Sequence, residues 1–192
     1  MAAVEYKLIK NFFTKEELMI IQKYCYNRLD QNKDYKVDIQ SFSPAWYNDP
    51  LMNGLLYLKL PLVERESNLN LLPTYAYWRY YVFGGTLAKH TDRPACEISV
   101  TVCIKKYDNW PIIVEGTDFE LEEGDAVLYA GCKQNHWRPG TYKGNGIAQV
   151  FFHYIDQNGD FKHHAYDNYT QTFGQKHSPN DKMLINNYGK NS

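Results

Sequence analysis

The 192-residue chain contains no apolar run approaching the roughly 18 residues that a membrane-spanning helix requires. Its first residues, Met-Ala-Ala-Val-Glu-Tyr-Lys, carry no apolar segment of the kind that marks a secretory signal. Cysteine is sparse, and Cys25, Cys96, Cys103 and Cys132 form no C-x-x-C pair. This argues against a zinc knuckle and for free thiols in a cytoplasmic setting. An excess of either charge is also missing: 21 basic and 22 acidic residues leave a net charge of −1. Without a basic stripe, no nucleic-acid partner is expected, and nothing points to a membrane surface. No internal repeat is present.

Aromatic residues are abundant, at 16% of the chain with 17 Tyr, whereas disordered chains are poor in them. The length corresponds to one domain, large enough to bury a core without disulfides or metals. Two helical segments open the chain. Thr14 and Glu17 form a capping box, Phe13 and Leu18 are spaced as a hydrophobic staple, and Leu18, Ile21, Cys25 and Leu29 recur at helical spacing up to about Asp30. A second helix is predicted from Pro50 to Glu66, broken or kinked at Pro61.

After Asn70, β-rich runs at 74–83, 97–104, 110–115, 126–129 and 147–154 alternate with turn residues such as Gly84-Gly85 and Glu123-Gly124-Asp125. That spacing predicts an antiparallel sandwich or barrel. The layout is α+β, with a helical support over about 12–66 packed on one sheet of a β core over about 72–166. A polar tail over about 174–192 is expected to be flexible.

Within the β region, His90 and Asp92 form an H-x-D on extended chain, where residues two apart share a face. A second imidazole, His136, opens another short strand. Two His and one carboxylate around one point make the facial triad of non-haem Fe(II) oxygenases. A bare H-x-D is common, so the surrounding blocks matter. The segment from Tyr81 through Gly84-Gly85 to His90 and Asp92 resembles the Y-x-x-G-G-x-x-x-x-H-x-D of prolyl-4-hydroxylase-type, 2-oxoglutarate-dependent dioxygenases. The run from Ser99 to Ile104 is similar to the strand that follows H-x-D in the oxygen-sensing prolyl hydroxylases, and that from Glu123 to Tyr129 to the family's strand just before the distal His.

This resemblance implies a double-stranded β-helix, or jelly roll, with Fe(II), 2-oxoglutarate and O₂ as cofactors and ascorbate as an optional reductant. It implies metal ligation by His90, Asp92 and His136, and hydroxylation of an unactivated C–H bond coupled to conversion of 2-oxoglutarate to succinate and CO₂. The leading substrate is a prolyl or other peptidyl side chain. Tyr81 and Thr101 are implied on the co-substrate pocket. The family usually carries a basic residue nine to eleven positions after the distal His, but Asn145, Gly146 and Ile147 stand there. A buried carboxylate needs a partner. Arg138 lies on the face of His136, roughly 6–7 Å deeper along the strand. Lys105 shares a face with Thr101 and Cys103 by the period of two. Arg79, in register with Tyr81, is a third candidate. Arg93 is placed at the rim as a substrate contact, with a salt bridge to Glu97 as the structural alternative. Trp137 is expected on the outer face, Lys143 at a solvated hairpin end, and His153, His163, His164 and His177 in structural or surface roles. Two other readings compete: a cupin-like metalloenzyme that does not use 2-oxoglutarate, and an inactive jelly-roll binding module.

Overall fold

The computed structural model describes residues 4–31 and 35–166. His177 and the expected tail lie outside the described residues. The capping box forms as its spacing predicts: the Thr14 amide donates to Glu17 Oε2 at 2.8 Å, and the Glu17 amide donates to Thr14 Oγ1 at 3.2 Å. Helix α1 (Lys15–Gln31) follows. The second helical segment is two helices, α2 (Pro50–Leu58) and α3 (Leu60–Ser67). The break falls at Lys59, because Pro61 has no amide hydrogen to continue α2 and serves instead in the first turn of α3.

Among the described residues there are ten strands: β1 (Lys7–Ile9), β2 (Lys36–Asp38), β3 (Ser43–Tyr47), β4 (Leu71–Tyr81), β5 (Ile98–Lys106), β6 (Ile112–Val114), β7 (Thr117–Phe119), β8 (Ala126–Tyr129), β9 (His136–Trp137) and β10 (Ile147–Asp156). The expectation of helices first and strands afterwards needs one correction. β1, β2 and β3 lie in the N-terminal region and join the large sheet, whose order is β1-β8-β5-β10-β4-β3-β2. They are short, and β3 contains Pro44, so local pattern did not reveal them. β3 is anchored by Trp46, which stacks on Trp78 at 3.9 Å between ring centroids.

Every pairing in the large sheet is antiparallel, as is every pairing in a second sheet of order β7-β6-β9. Alternation along the central strands sorts two cores. Val100, Val102, Ile104, Ala148, Val150, Phe152, Ala76 and Trp78 meet Ile21, Cys25, Met52, Leu56 and Val63 of the helices. On the opposite face, Cys103, Val127 and Tyr129 meet Ile112 and Val114 of the small sheet. The architecture is therefore α+β: helices on one face of a large antiparallel sheet, and a small sheet closing the other. The functional residues lie between the two sheets.

Candidate metal centre

His90 and His136 come together because their backbones pair. The His90 amide donates to the His136 carbonyl at 3.1 Å, and the His136 amide donates back at 2.9 Å. Asp92 is brought in by its amide, which donates to the Gly131 carbonyl at 2.8 Å. Asp92 Oδ1 then lies 3.5 Å from Nε2 of each histidine. Ligand atoms of all three residues fall within 4.8 Å of one another.

Each ring is aimed by its other nitrogen. His90 Nδ1 donates to the Ala88 carbonyl at 2.8 Å, and His136 Nδ1 to the Gln134 carbonyl at 3.0 Å. A carbonyl only accepts, so Nδ1 carries the hydrogen and Nε2 is left to bind a cation. Burial opposes ionisation of Asp92, but without a cation the imidazoles of His136 and His90, when Nε2 also carries a hydrogen, donate to it, outweigh burial and hold the carboxyl well below its usual range. The same bond to Asp92 raises the His90 imidazole against the effect of burial. Two imidazole nitrogens and one carboxylate oxygen suit a divalent first-row metal, Fe(II) included.

The triad lines a cavity of about 240 Å³. Tyr47, Tyr75, Tyr77 and Phe151 form aromatic walls, and Arg79, Asp38, Tyr129 and His153 complete the polar lining. Arg79 is buried. It donates to Tyr81 Oη at 2.8 Å and pairs with Asp38, and its Nε has no partner. Tyr77, Tyr81 and Phe151 each present a ring within 5.4 Å of the guanidinium.

The other predicted residues are placed as follows. Arg138 is fully buried behind this cavity and donates to the Trp110 carbonyl and to Gln149 Oε1. Its Nε is unpartnered, and its guanidinium lies 5.3 Å from the Tyr81 ring. Thr101 is buried, with Oγ1 3.0 Å from Tyr129 Oη. Lys105 departs from the expected face. The β5–β10 register shifts between Ala148 and Gln149, so Lys105 pairs with Ala148 on the helix side while Cys103 pairs with Gln149 on the inner side. A bulge of this kind breaks the two-residue alternation. Lys105 Nζ accordingly pairs with Glu123 at 2.8 Å, with its side chain 41% exposed. Arg93 donates to Tyr47 Oη at 2.9 Å and lies 4.7 Å from the Tyr75 ring, at the edge of the cavity. Trp137 is partly exposed beneath Lys89, and Lys143 is exposed. His163 and His164 lie in a 3₁₀ turn rather than on a strand.

His153 and Asp38 are the residues that sequence reasoning missed. His153 carried a usable signal, since it shares its face with Gln149 and Phe151 by alternation along β10. Asp38 carried none, because β2 itself was not legible.

No protein-family model and no curated protein matches the chain. Solved structures do match. A prolyl-4-hydroxylase from Pseudomonas putida superposes with a TM-score of 0.62 at 12% identity, covering 79% of this chain and 92% of that one. A 2OG-Fe(II) oxygenase family oxidoreductase from Burkholderia pseudomallei gives 0.64 at 13% identity, covering 80% and 86%. The chain has the fold of the Fe(II)- and 2-oxoglutarate-dependent oxygenases. The viral collagen prolyl hydroxylase of Paramecium bursaria Chlorella virus-1, at a TM-score of 0.55 and 12% identity over 78% and 96%, belongs to the same oxygenase-fold group. The jelly-roll architecture expected from the motif blocks is thus the architecture of the chain.

Proposed function

We propose that the protein is an Fe(II)- and 2-oxoglutarate-dependent oxygenase that hydroxylates an unactivated C–H bond. One observation carries this reading: His90 Nε2, His136 Nε2 and Asp92 Oδ1 converge on one point at the wall of a cavity that also reaches a buried arginine. His90, Asp92 and His136 would hold the iron. Bound there, it supplies oxidation of a C–H bond by O₂, coupled to decarboxylation of 2-oxoglutarate to succinate.

The remaining work falls to the protein. Nδ1 of both histidines stays pinned to backbone carbonyls, so the imidazoles cannot swing away. The aromatic walls exclude water around the reacting carbon. Charge balance supports a seat for the far carboxylate of 2-oxoglutarate between Arg79 and Arg138. Arg79 pairs with Asp38, Arg138 donates to the uncharged oxygens of Trp110 and Gln149, and each has an unpartnered Nε. One further carboxylate neutralises the set, and Tyr81 lies against both cations.

For the substrate, a second cavity of about 610 Å³ runs along β2 and β3 and shares Asp38, Tyr47 and Tyr77 with the first. This continuity supports an extended substrate such as a peptidyl side chain on its backbone, with Arg93 at the rim as a contact. One observation favours a metalloenzyme that does not use 2-oxoglutarate: Arg79 already carries Asp38. Succinate formation from 2-oxoglutarate with Fe(II) and ascorbate separates the two. The oxygenase reading requires turnover that disappears in Asp92→Ala. Metal binding without any succinate supports the alternative.

A further inference from the structure

Ser99 and His153 face each other across the β5–β10 pairing, with Cα atoms in register. Both are buried. Ser99 Oγ lies 3.0 Å from His153 Nδ1, 3.3 Å from Asp92 Oδ2 and 3.3 Å from the Cys96 carbonyl. The hydroxyl has one hydrogen, and two of these neighbours can only accept. A carboxylate is the stronger acceptor, so the hydrogen goes to Asp92. The serine oxygen then accepts from His153, which places the imidazole hydrogen on Nδ1.

Resting on the reading of His90, Asp92 and His136 as metal ligands, we propose that Ser99 and His153 are positioning residues for Asp92. The relay runs from His153 Nδ1–H to Ser99 Oγ, and from Ser99 Oγ–H to Asp92 Oδ2. It occupies the outer carboxylate oxygen and leaves Oδ1 alone turned toward the two imidazole Nε2 atoms. Two features hold the relay in place. Thr74 Oγ1, beside the β4–β10 irregularity, lies 2.8 Å from the Ala95 carbonyl and 2.9 Å from the His153 carbonyl, and shares its one hydrogen between them. The Tyr75 ring packs against the imidazole at 4.6 Å between centroids.

The test is Mn(II) titration of the full chain, read by the electron paramagnetic resonance of free Mn(II), on wild type, Ser99→Ala, His153→Phe, His153→Asn and Asp92→Ala. Loss of a group that orients a ligand lowers metal affinity by about 10–100-fold. That loss is expected for Ser99→Ala and His153→Phe. His153→Asn, whose amide can donate from near the Nδ1 position, is expected to recover most of it. Wild-type affinity in both Ser99→Ala and His153→Phe overturns the proposal while leaving the metal reading intact. A wild-type chain that binds Mn(II) no better than Asp92→Ala overturns the metal reading itself. A second measurement does not depend on the variants folding well: ¹⁵N imidazole NMR of the Zn(II)-loaded wild-type chain. The relay requires hydrogen on Nδ1 of His153, and hydrogen on Nε2 refutes it.

Discussion

Gly131 lies under the proposed metal centre, and replacing it by alanine tests how tightly the carboxylate is packed. A Cβ there would lie 2.3 Å from Ser99 Oγ, 2.4 Å from the Cys96 carbonyl oxygen and 2.8 Å from Asp92 Oδ2. All three distances are below the 3.0 Å that real Cβ atoms respect. The residue is not at positive φ, so alanine brings no backbone strain of its own. The serine hydroxyl can rotate, but the Cys96 carbonyl belongs to backbone ahead of β5 and cannot. Overpacking of this kind costs about 1–3 kcal/mol. At about 2–4 °C per kcal/mol for a chain of this size, Tm falls by roughly 2–12 °C. Asp92 must also move, which lowers Mn(II) affinity by about 10–100-fold. The control is Gly54→Ala, on the exposed face of α2 with nothing within 4 Å of the new carbon. There the helix gains about 0.5–1 kcal/mol and metal affinity stays as it was. Calorimetry and Mn(II) titration read both effects. A Gly131→Ala chain with wild-type Tm and wild-type affinity would refute the packing argument.

Four further outcomes follow from the same geometry. Asp92→Ala removes the only carboxylate of the triad and is expected to abolish Fe(II) or Mn(II) binding in titration. Asp38→Asn combined with Arg79→Met removes a buried ion pair without stranding either charge. It should weaken 2-oxoglutarate binding to the Mn(II)-loaded chain by about 10–150-fold, the equivalent of a charged hydrogen bond at about 1.5–3 kcal/mol; unchanged affinity excludes Arg79 as the carboxylate partner. His153 should make the metal-free protein acid-sensitive. Its pKa is lowered from 6.5 to about 4 by burial, so between those values the unfolded chain binds more protons than the folded one. The stabilisation is complete above about pH 6.5 and declines as pH falls toward 4, by up to roughly 3 kcal/mol. Urea unfolding against pH should therefore show a flatter profile in His153→Asn. Finally, Thr14→Ala removes the acceptor for the Glu17 amide and should cost about 1 kcal/mol in urea unfolding, leaving metal binding unchanged.

The site was legible to different depths. The proposed metal triad follows from an H-x-D and one distant histidine, because extended chain puts residues two apart on one face. The candidates for holding a carboxylate were harder. Arg138 was expected along the face of His136; it lies behind the cavity wall, donates to the Trp110 carbonyl and Gln149, and keeps one unpartnered Nε. Lys105 was expected to point inward with Thr101, and a bulge opposite Ala148 and Gln149 turns it to the helix side. Arg79 was the weakest candidate from its position in the sequence. It is the one that lines the cavity with the triad, held there by Asp38 from a strand the pattern did not reveal.

The sequence by itself determined the elements whose signals are local. The Thr14–Glu17 capping box, the break at Pro61, the β runs after Asn70 and the order Tyr81, His90, Asp92, His136 depend on spacings of a few residues or on the composition of one run. Tertiary structure alone decided which face Lys105 takes, that β1, β2 and β3 extend the large sheet, and that His153 stands beside Asp92. The physical reason is that strand register, bulges and ion pairs are set by partners far away in the chain. Asp38 meets Arg79 across 41 residues, and Ser99 meets His153 across 54. A one-residue shift in such a pairing moves a side chain from one face of a sheet to the other, and nothing in the local pattern records it.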